Sequence, residues 1–327
     1  MKKLMNSPED AVSEALQGMA YCNPDLEYFP KEEILARKRE PTAARVGVIA
    51  AGGGGHEPSN AGCVGPGLLD AAVVGSVFAF PEAASILRGI RQADYGQGVL
   101  LVLQNYSGTV MNARVAMEEA QRAGIPVEMV VVGDDTAVPA SAAGRRGVAG
   151  SILVQKIACA AAAAGYPLAA ARDVTEKAAA NLRTAGVVLT SCTLPGAGQP
   201  VFELGPGEME TGTGICGEPG TGRQPLRPAQ EIAAQMLEQI FQDRDYTGQE
   251  VAVLVNGLGG TPPIELYIMN CELQQLLEER GVRVYRTVVG SLVTALDTAG
   301  CSFTLMEVDE ELKPLLDAPC RSLALRN

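Results

Sequence analysis

Tryptophan is absent from this chain, aromatic residues make up only 4% of it, and one histidine, His56, occurs in 327 residues. With so few rings, the core has to be built from Ala, Val, Leu and Ile, which a hydrophobic content of 47% supplies. Long apolar runs are missing too. None approaches the roughly 20 residues that span a bilayer, and the alanine-rich stretch 158–165 is too short. The N-terminus from Met1 to Asp10 lacks the apolar centre of a signal peptide, so the expected location is cytoplasmic. Positive charge is scarce. There are 26 Lys and Arg against 38 Asp and Glu, a net charge of −12. No basic patch stands out to neutralise nucleic-acid phosphates or to meet an anionic membrane, so neither partner is expected. No Walker G-K-[ST] occurs, and no C-x-x-C pair. The eight cysteines are scattered with no histidine beside a second ligand, so no zinc or other metal site is expected. Most of them should be free, buried thiols acting as small apolar groups.

The chain does have 37 glycines and a regular alternation of apolar runs with helix-like segments. Strands are expected at 46–51, 98–105 and 127–133, and a helix at 111–123. Two alanine-rich helices are expected at 148–164 and 168–185, joined at Gly165-Tyr166-Pro167. Beyond a composition shift near Gly186, strands are expected at 187–194, 201–204, 251–256, 282–289 and 302–308. Helices are expected at 227–243 and 263–280. Strands alternating with helices imply sheets covered by helices. The reading is therefore an α/β protein of two α/β domains, residues 1–186 and 187–327, each with a largely parallel or mixed sheet flanked by helices. Residues 1–40 form an N-terminal arm or helix.

Four loops carry the candidate chemistry. In the first, Gly52-Gly53-Gly54-Gly55-His56-Glu57-Pro58 follows a buried strand. Glycines let backbone N–H groups approach a ligand, and Pro58 suits the first turn of a helix. Strand, loop, helix start and imidazole together read as a site for an oxygen-rich or phosphate-bearing ligand. A dinucleotide fingerprint fails here, because proline stands where the third glycine belongs. The second loop, Gln104-Asn105-Tyr106-Ser107-Gly108-Thr109, lies at the carboxyl end of a strand, where open α/β sheets bind ligands. The third, Gly214-Ile215-Cys216-Gly217-Glu218-Pro219-Gly220, repeats the pattern of the first with a thiol in place of the imidazole. The fourth, Val255-Asn256-Gly257-Leu258-Gly259-Gly260-Thr261, would brace the third loop or meet a partner.

These segments resemble the K (substrate-binding) subunit of dihydroxyacetone kinase, whose first loop reads G-G-G-S-G-H-E-P. The likeness continues through Asn105-Tyr106-Ser107-Gly108, Gly133-Asp134-Asp135, Arg145-Arg146-Gly147, Gly217-Glu218-Pro219-Gly220 and Leu296-Asp297-Thr298-Ala299-Gly300. It covers nearly the whole chain. The resemblance implies a homodimer of two-domain chains that holds dihydroxyacetone as a covalent hemiaminal on a histidine. A first-loop histidine and an aspartate assist phosphoryl transfer. It also implies no cofactor in this chain; ATP and magnesium, or a phosphoprotein donor, come only through an L-type nucleotide-binding partner subunit. The family's covalent histidine aligns with Cys216, its aspartate with Thr109, its lysine with Gln104 and its loop serine with Gly54. Only His56 is retained.

On that resemblance, His56, Cys216 and Thr109 are the catalytic positions, and Gly53, Gly54, Gly55, His56, Gln104, Asn105, Thr109 and Cys216 bind substrate. A thiolate at Cys216 would form a thiohemiketal with a ketone, helped by an imidazolium at His56 if the loops meet. The leading expectation is a kinase-like subunit binding a small ketose or polyol. The alternative is a catalytically impaired relative acting as a ligand sensor, co-activator or binding protein.

Overall fold

The computed structural model describes residues 3–39, 44–139 and 144–327. Met1, Lys2 and Glu40, the two ends of the expected N-terminal arm, lie outside the described residues. The arm holds a helix, α1 (Ala11–Cys22), and an unforeseen hairpin, β1 (Leu26–Phe29) and β2 (Ile34–Arg37). The rest of the first half runs β3 (Arg45–Gly54), β4 (Ala71–Val77), α2 (Ala83–Ala93), β5 (Gly96–Gln104), α3 (Ser107–Arg122), β6 (Val127–Val132), α4 (Ser151–Ala163) and α5 (Leu168–Ala180). The second half runs β7 (Leu182–Val188), β8 (Glu208–Thr211), β9 (Gly222–Pro225), α6 (Ala229–Asp243), β10 (Glu250–Gly257), α7 (Pro263–Glu279), β11 (Arg283–Gly290), β12 (Gly300–Glu307) and α8 (Leu312–Asp317).

Two six-stranded sheets result, ordered β1-β2-β4-β3-β5-β6 and β11-β10-β12-β7-β8-β9. In the first, β4, β3, β5 and β6 are parallel and the hairpin is added antiparallel. In the second, only β10 and β11 are parallel. Both sheets are mixed and flanked by helices, as expected.

Helix α4 explains how an aromatic-poor chain fills its centre. Twelve of its residues are buried, and its sequence SILVQKIACAAAA is apolar nearly all round. It packs in one apolar cluster with β3 and β5 residues such as Val48 and Leu100 and with Leu292, Met306 and Leu312 from the second half. That cluster runs through both halves. No helix is long and apolar enough to cross a membrane among the described residues. Five of the eight cysteines are buried, Cys22 and Cys271 are exposed, and all are free.

Several sequence expectations need correction. The helix expected at 168–185 ends at Ala180, and residues 182–188 are β7. Alanine-rich sequence carries no period that separates a helix from a buried strand. Pairing with β12 decides the matter, from Leu182↔Met306 to Val188↔Gly300. The second sheet therefore takes its first strand from before residue 187. Residues 201–204 form no strand, and the pairing falls instead to β8 and β9. Nor does Pro58 open a helix. The Glu57–Pro58 peptide is cis, and only a four-residue 3₁₀ turn, Asn60–Cys63, follows. Close packing leaves no room for more: a Cβ on Gly62 would lie 2.5 Å from that of Pro58, and Ala324 N–H bonds to the Gly62 carbonyl at 2.8 Å.

Asp134 ties the halves together. Its fully buried carboxylate accepts N–H bonds from Val148 (2.7 Å) and Gly150 (2.8 Å) just before α4, and the Thr184 hydroxyl of β7 (2.5 Å). Removing it strands two buried backbone donors, Val148 and Gly150 N–H, while the Thr184 hydroxyl keeps the Thr304 hydroxyl at 2.7 Å. Asp134→Ala should lower the free energy of unfolding by about 3 kcal/mol. Urea denaturation measures this; a loss below about 1 kcal/mol would contradict the assigned role.

Candidate functional site

The pocket is built from strand ends. β3 runs out at Gly54 into His56, and β5 runs out at Gln104 directly into α3. Thr109 therefore lies not in a polar loop but in the first turn of a helix, which begins at Ser107 rather than 111. The helix N-terminus expected after the first loop is found after the second. Ser107, Gly108 and Thr109 bring the unshared N–H groups of that first turn to the pocket wall. The third loop, after β8, brings in Cys216. A cavity of about 200 Å³ lies among them, lined by Gly53, His56, Gln104, Thr109 and Cys216 of the expected residues.

Gly54, Gly55 and Asn105 stand behind this wall. A Cβ on Gly54 would lie 2.7 Å from Val12 Cγ2 of α1, and Asn105 donates to the Arg145 carbonyl at 2.7 Å. Gly53 matters through close approach: its Cβ would sit 3.0 Å from both the N and O of Ala79. Sequence reasoning missed Phe78, Ala79 and Phe80, the segment beyond β4, which closes one side. Phe78 stacks on His56 with ring centroids 5.0 Å apart. β4 itself had not been expected, and without it nothing marks this segment.

His56 is 3% exposed and held at both ring nitrogens. Nδ1 lies 2.7 Å from the Thr294 carbonyl. A carbonyl only accepts, so Nδ1 carries the proton and Nε2 is left as an acceptor. Nε2 faces Cys216 Sγ at 3.4 Å, and the thiol donates to it. Burial lowers the His56 pKa, outweighing the opposite influence of the Thr294 carbonyl, Glu57 and Glu218. Burial, reinforced by Glu218, pushes the Cys216 thiol up to about 12. The loops do meet, but the condition for an imidazolium–thiolate pair, a lowered thiol pKa, is not met: the pair is a neutral imidazole and a neutral thiol. A dry site disfavours both charges.

The two glycine loops share a device. Gly55 N–H donates to the Glu57 carboxylate at 3.1 Å, and Cys216 N–H to that of Glu218 at 2.8 Å. The fourth loop has a further role beside the first loop. Fully buried Asn256 accepts N–H bonds from Leu292 and Val293, both at 2.9 Å, and donates to the Val293 carbonyl at 2.7 Å. This fixes the segment whose next residue, Thr294, holds His56. Leu296 N–H adds a bond to the Gly55 carbonyl at 2.9 Å. The fourth loop thus braces the first loop through residues 292–296, and Arg146 braces the third, bonding the Gly212 carbonyl (2.8 Å) and Asp135 (2.9 Å).

Tyr106 completes the wall. Its hydroxyl is buried with no hydrogen bond of ordinary geometry, yet near enough to Cys216 for each to alter the other's ionisation. A buried hydroxyl without a partner beside a cavity is a group that a ligand can satisfy.

Two mixed six-stranded sheets with a His–Cys pocket at converging strand ends define a class of two-sheet α/β ligand-binding proteins. The Dak1 domain family matches residues 17–324, and the chain belongs to that family. It is 41% identical over 328 residues to the PTS-dependent dihydroxyacetone kinase 1, dihydroxyacetone-binding subunit DhaK, of Listeria innocua, covering 99% of this chain and all of that one. The dihydroxyacetone kinase of C. freundii superimposes with a TM-score of 0.92 at 35% identity, covering all of this chain and 60% of that chain. A dihydroxyacetone kinase operon co-activator, Dha-DhaQ, gives 0.91 at 33% identity, covering 95% and 97%.

As the only imidazole, His56 can be followed alone. Its folded pKa lies below the ordinary 6.5. As pH falls the unfolded chain therefore takes the proton first. The stability this residue contributes is complete above pH 6.5 and is lost as pH drops toward the folded value. In two-dimensional NMR the neutral ring should be protonated at Nδ1 and its titration midpoint should fall below 6.5. A midpoint at or above 6.5 would contradict the neutral pair.

Proposed function

We propose that this chain binds a small polyhydroxy ketone, dihydroxyacetone or a close relative, between His56 and Cys216. On this reading it is the ligand-binding subunit of a dihydroxyacetone-kinase-like phosphotransferase, a homodimer in the cytoplasm. Nucleotide and magnesium, or a phosphoprotein donor, are carried by an L-type partner subunit. The observation that carries the reading is the His56 Nε2 to Cys216 Sγ distance of 3.4 Å at the edge of a cavity sized for a short sugar. Full-length similarity to DhaK subunits supports the ligand class and the partner.

The chemistry available follows from the protonation states. His56 Nε2 is the base in the pocket wall, since no Asp or Glu among the described residues lines the cavity. A ligand hydroxyl that displaces the thiol from Nε2 meets a proton acceptor, and the first turn of α3 offers N–H groups to developing negative charge. An addition of sulfur to the ketone would form an S–C bond, move the carbonyl pair onto oxygen and return the thiol proton to that oxygen through Nε2. With the thiol pKa near 12, that adduct does not begin from a standing thiolate. Non-covalent binding is the primary mode.

A second reading is favoured by the same lack of a carboxylate at Thr109: a protein that binds the ketose and reports it, as a co-activator does. Phosphoryl transfer decides between the two. With an L-type partner and ATP, the parent should convert dihydroxyacetone slowly, and Thr109→Asp with Cys216→His should raise the rate by about 10²–10⁴, the range of general-base catalysis. Tight binding with no turnover in the parent selects the binding-protein reading. No gain in the double variant removes these two positions as the cause of divergence.

Calorimetric titration with dihydroxyacetone tests the pocket itself. Cys216→Ser should retain affinity within about threefold, and Tyr106→Phe should lose roughly fivefold, one hydrogen bond. A loss of binding in Cys216→Ser would instead indicate a covalent thiol.

A further inference from the structure

A second cavity, of about 310 Å³, shares no residue with the His56–Cys216 pocket. α4, β11 and the segment after α8 form its walls. Lys156 of α4 lines it and is only 3% exposed. The ammonium donates to the Ala318 carbonyl, and among the described residues it forms no ion pair. A buried ammonium without an anion is costly. Burial accordingly lowers its pKa, with Arg286 pushing the same way and Cys320 and Asp317 opposing. Arg286 and Arg326 line the same cavity. Arg286 bonds Asp317 at 2.9 Å, the Leu316 carbonyl at 3.2 Å and the Asn327 side-chain oxygen, which a phosphate would have to displace, while Arg326 forms no ion pair among the described residues. Three side-chain cations thus line this cavity, and Asp317, bonded to Arg286, stands beside them, in a protein of net charge −12. The remaining wall is apolar, with Leu153, Val288 and Leu325.

We propose that this cavity is a second ligand site, for a small organic phosphate monoester whose phosphate lies among Lys156, Arg286 and Arg326 and whose carbon skeleton lies on Leu153, Val288 and Leu325. Lys156 and Arg326, which form no ion pair among the described residues, suit a group carrying about −1.5 to −2 at neutral pH. Arginine supplies a planar fork and lysine a point charge, both used for phosphate.

The site is wired to His56 on two sides. β11 lines the cavity from Arg286 to Val289 and ends at Gly290. Leu292 and Val293 then bond Asn256, and Thr294 holds the imidazole. In α4, Gln155 beside Lys156 donates to Asn60 Oδ1 at 3.0 Å, in the turn that follows His56. A phosphate ester bound here therefore acts as an effector of the ketose pocket. The binding claim itself is independent of what that pocket holds.

The full chain is titrated with glycerol 3-phosphate by calorimetry, with the His56 ring resonance followed in parallel. Saturable binding is expected, at least tenfold weaker in Lys156→Met and in Arg286→Met. Lys156→Met should fold at least as stably as the parent, because it removes a buried charge. Should either variant fail to fold, Arg326→Gln changes an exposed residue and should still weaken binding about threefold. Cys216→Ser should leave phosphate binding unchanged, and the His56 resonance should move with the same midpoint as the heat. Inorganic phosphate should bind at least tenfold more weakly, and glycerol not at all. No saturable binding overturns the proposal, as does binding indifferent to Lys156→Met and Arg326→Gln, which would put the phosphate at the first turn of α3. Equal affinity for inorganic phosphate overturns the organic-ester part, and an unmoved His56 resonance overturns the coupling.

Discussion

The bond from His56 Nδ1 to the Thr294 carbonyl, 2.7 Å long and buried, is the constraint on which the site depends. It selects the tautomer, leaves Nε2 as an acceptor, and so assigns the proton between imidazole and thiol. It also joins the first half of the chain to the second, because the imidazole hangs from the end of β3 while its anchor follows β11. Neither half by itself contains both members of the pocket. A ketose-sized cavity at this place is a property of the docked halves, which is consistent with one apolar cluster running through α4 and both sheets.

Burial then governs the chemistry. In a water-exposed cleft, a histidine beside a cysteine tends toward the ion pair that activates a thiol. Here desolvation outweighs the charges nearby. Glu57 and Glu218, which would favour an imidazolium, each have an N–H bond to keep in their own loops. The result is a pair of neutral groups in which His56 Nε2, bonded by the Cys216 thiol, is the acceptor for which a ligand hydroxyl competes. With Thr109 in place of a carboxylate, that acceptor is the base present in the cavity wall.

Much of this was legible in the sequence. The glycine runs around His56 and Cys216 announced loops that approach a ligand, and their repeated Glu-Pro ending pointed to a shared architecture. Strands with β-branched runs, such as those expected at 127–133 and 251–256, read correctly, and in the second of these burial on both faces leaves an unbroken apolar run over 251–255. The alanine-rich stretch 168–185 misled, since Ala fits a helix or a close-packed strand equally. The hairpin of β1 and β2 went unread because four-residue strands next to polar turns have no period long enough to register, and β4, AAVVGSV, because its Ala, Gly and Ser dilute the apolar run.

The sequence by itself determined the membership, the mixed α/β class and the residues that bear chemistry, because motif spacing and residue type are carried along the chain. Tertiary structure alone decided which of those residues meet and in what charge state. Gly54 and Asn105 belong to the same motifs as Gly53 and Gln104, yet alternation along a strand turns them toward α1 and Arg145 instead of the cavity. Asn256 and Thr294 are distant from His56 in sequence, and their hold on it exists only once β10 and β11 stand side by side. Desolvation is likewise a property of the packed whole, so the neutral His56–Cys216 pair could be read only from the fold.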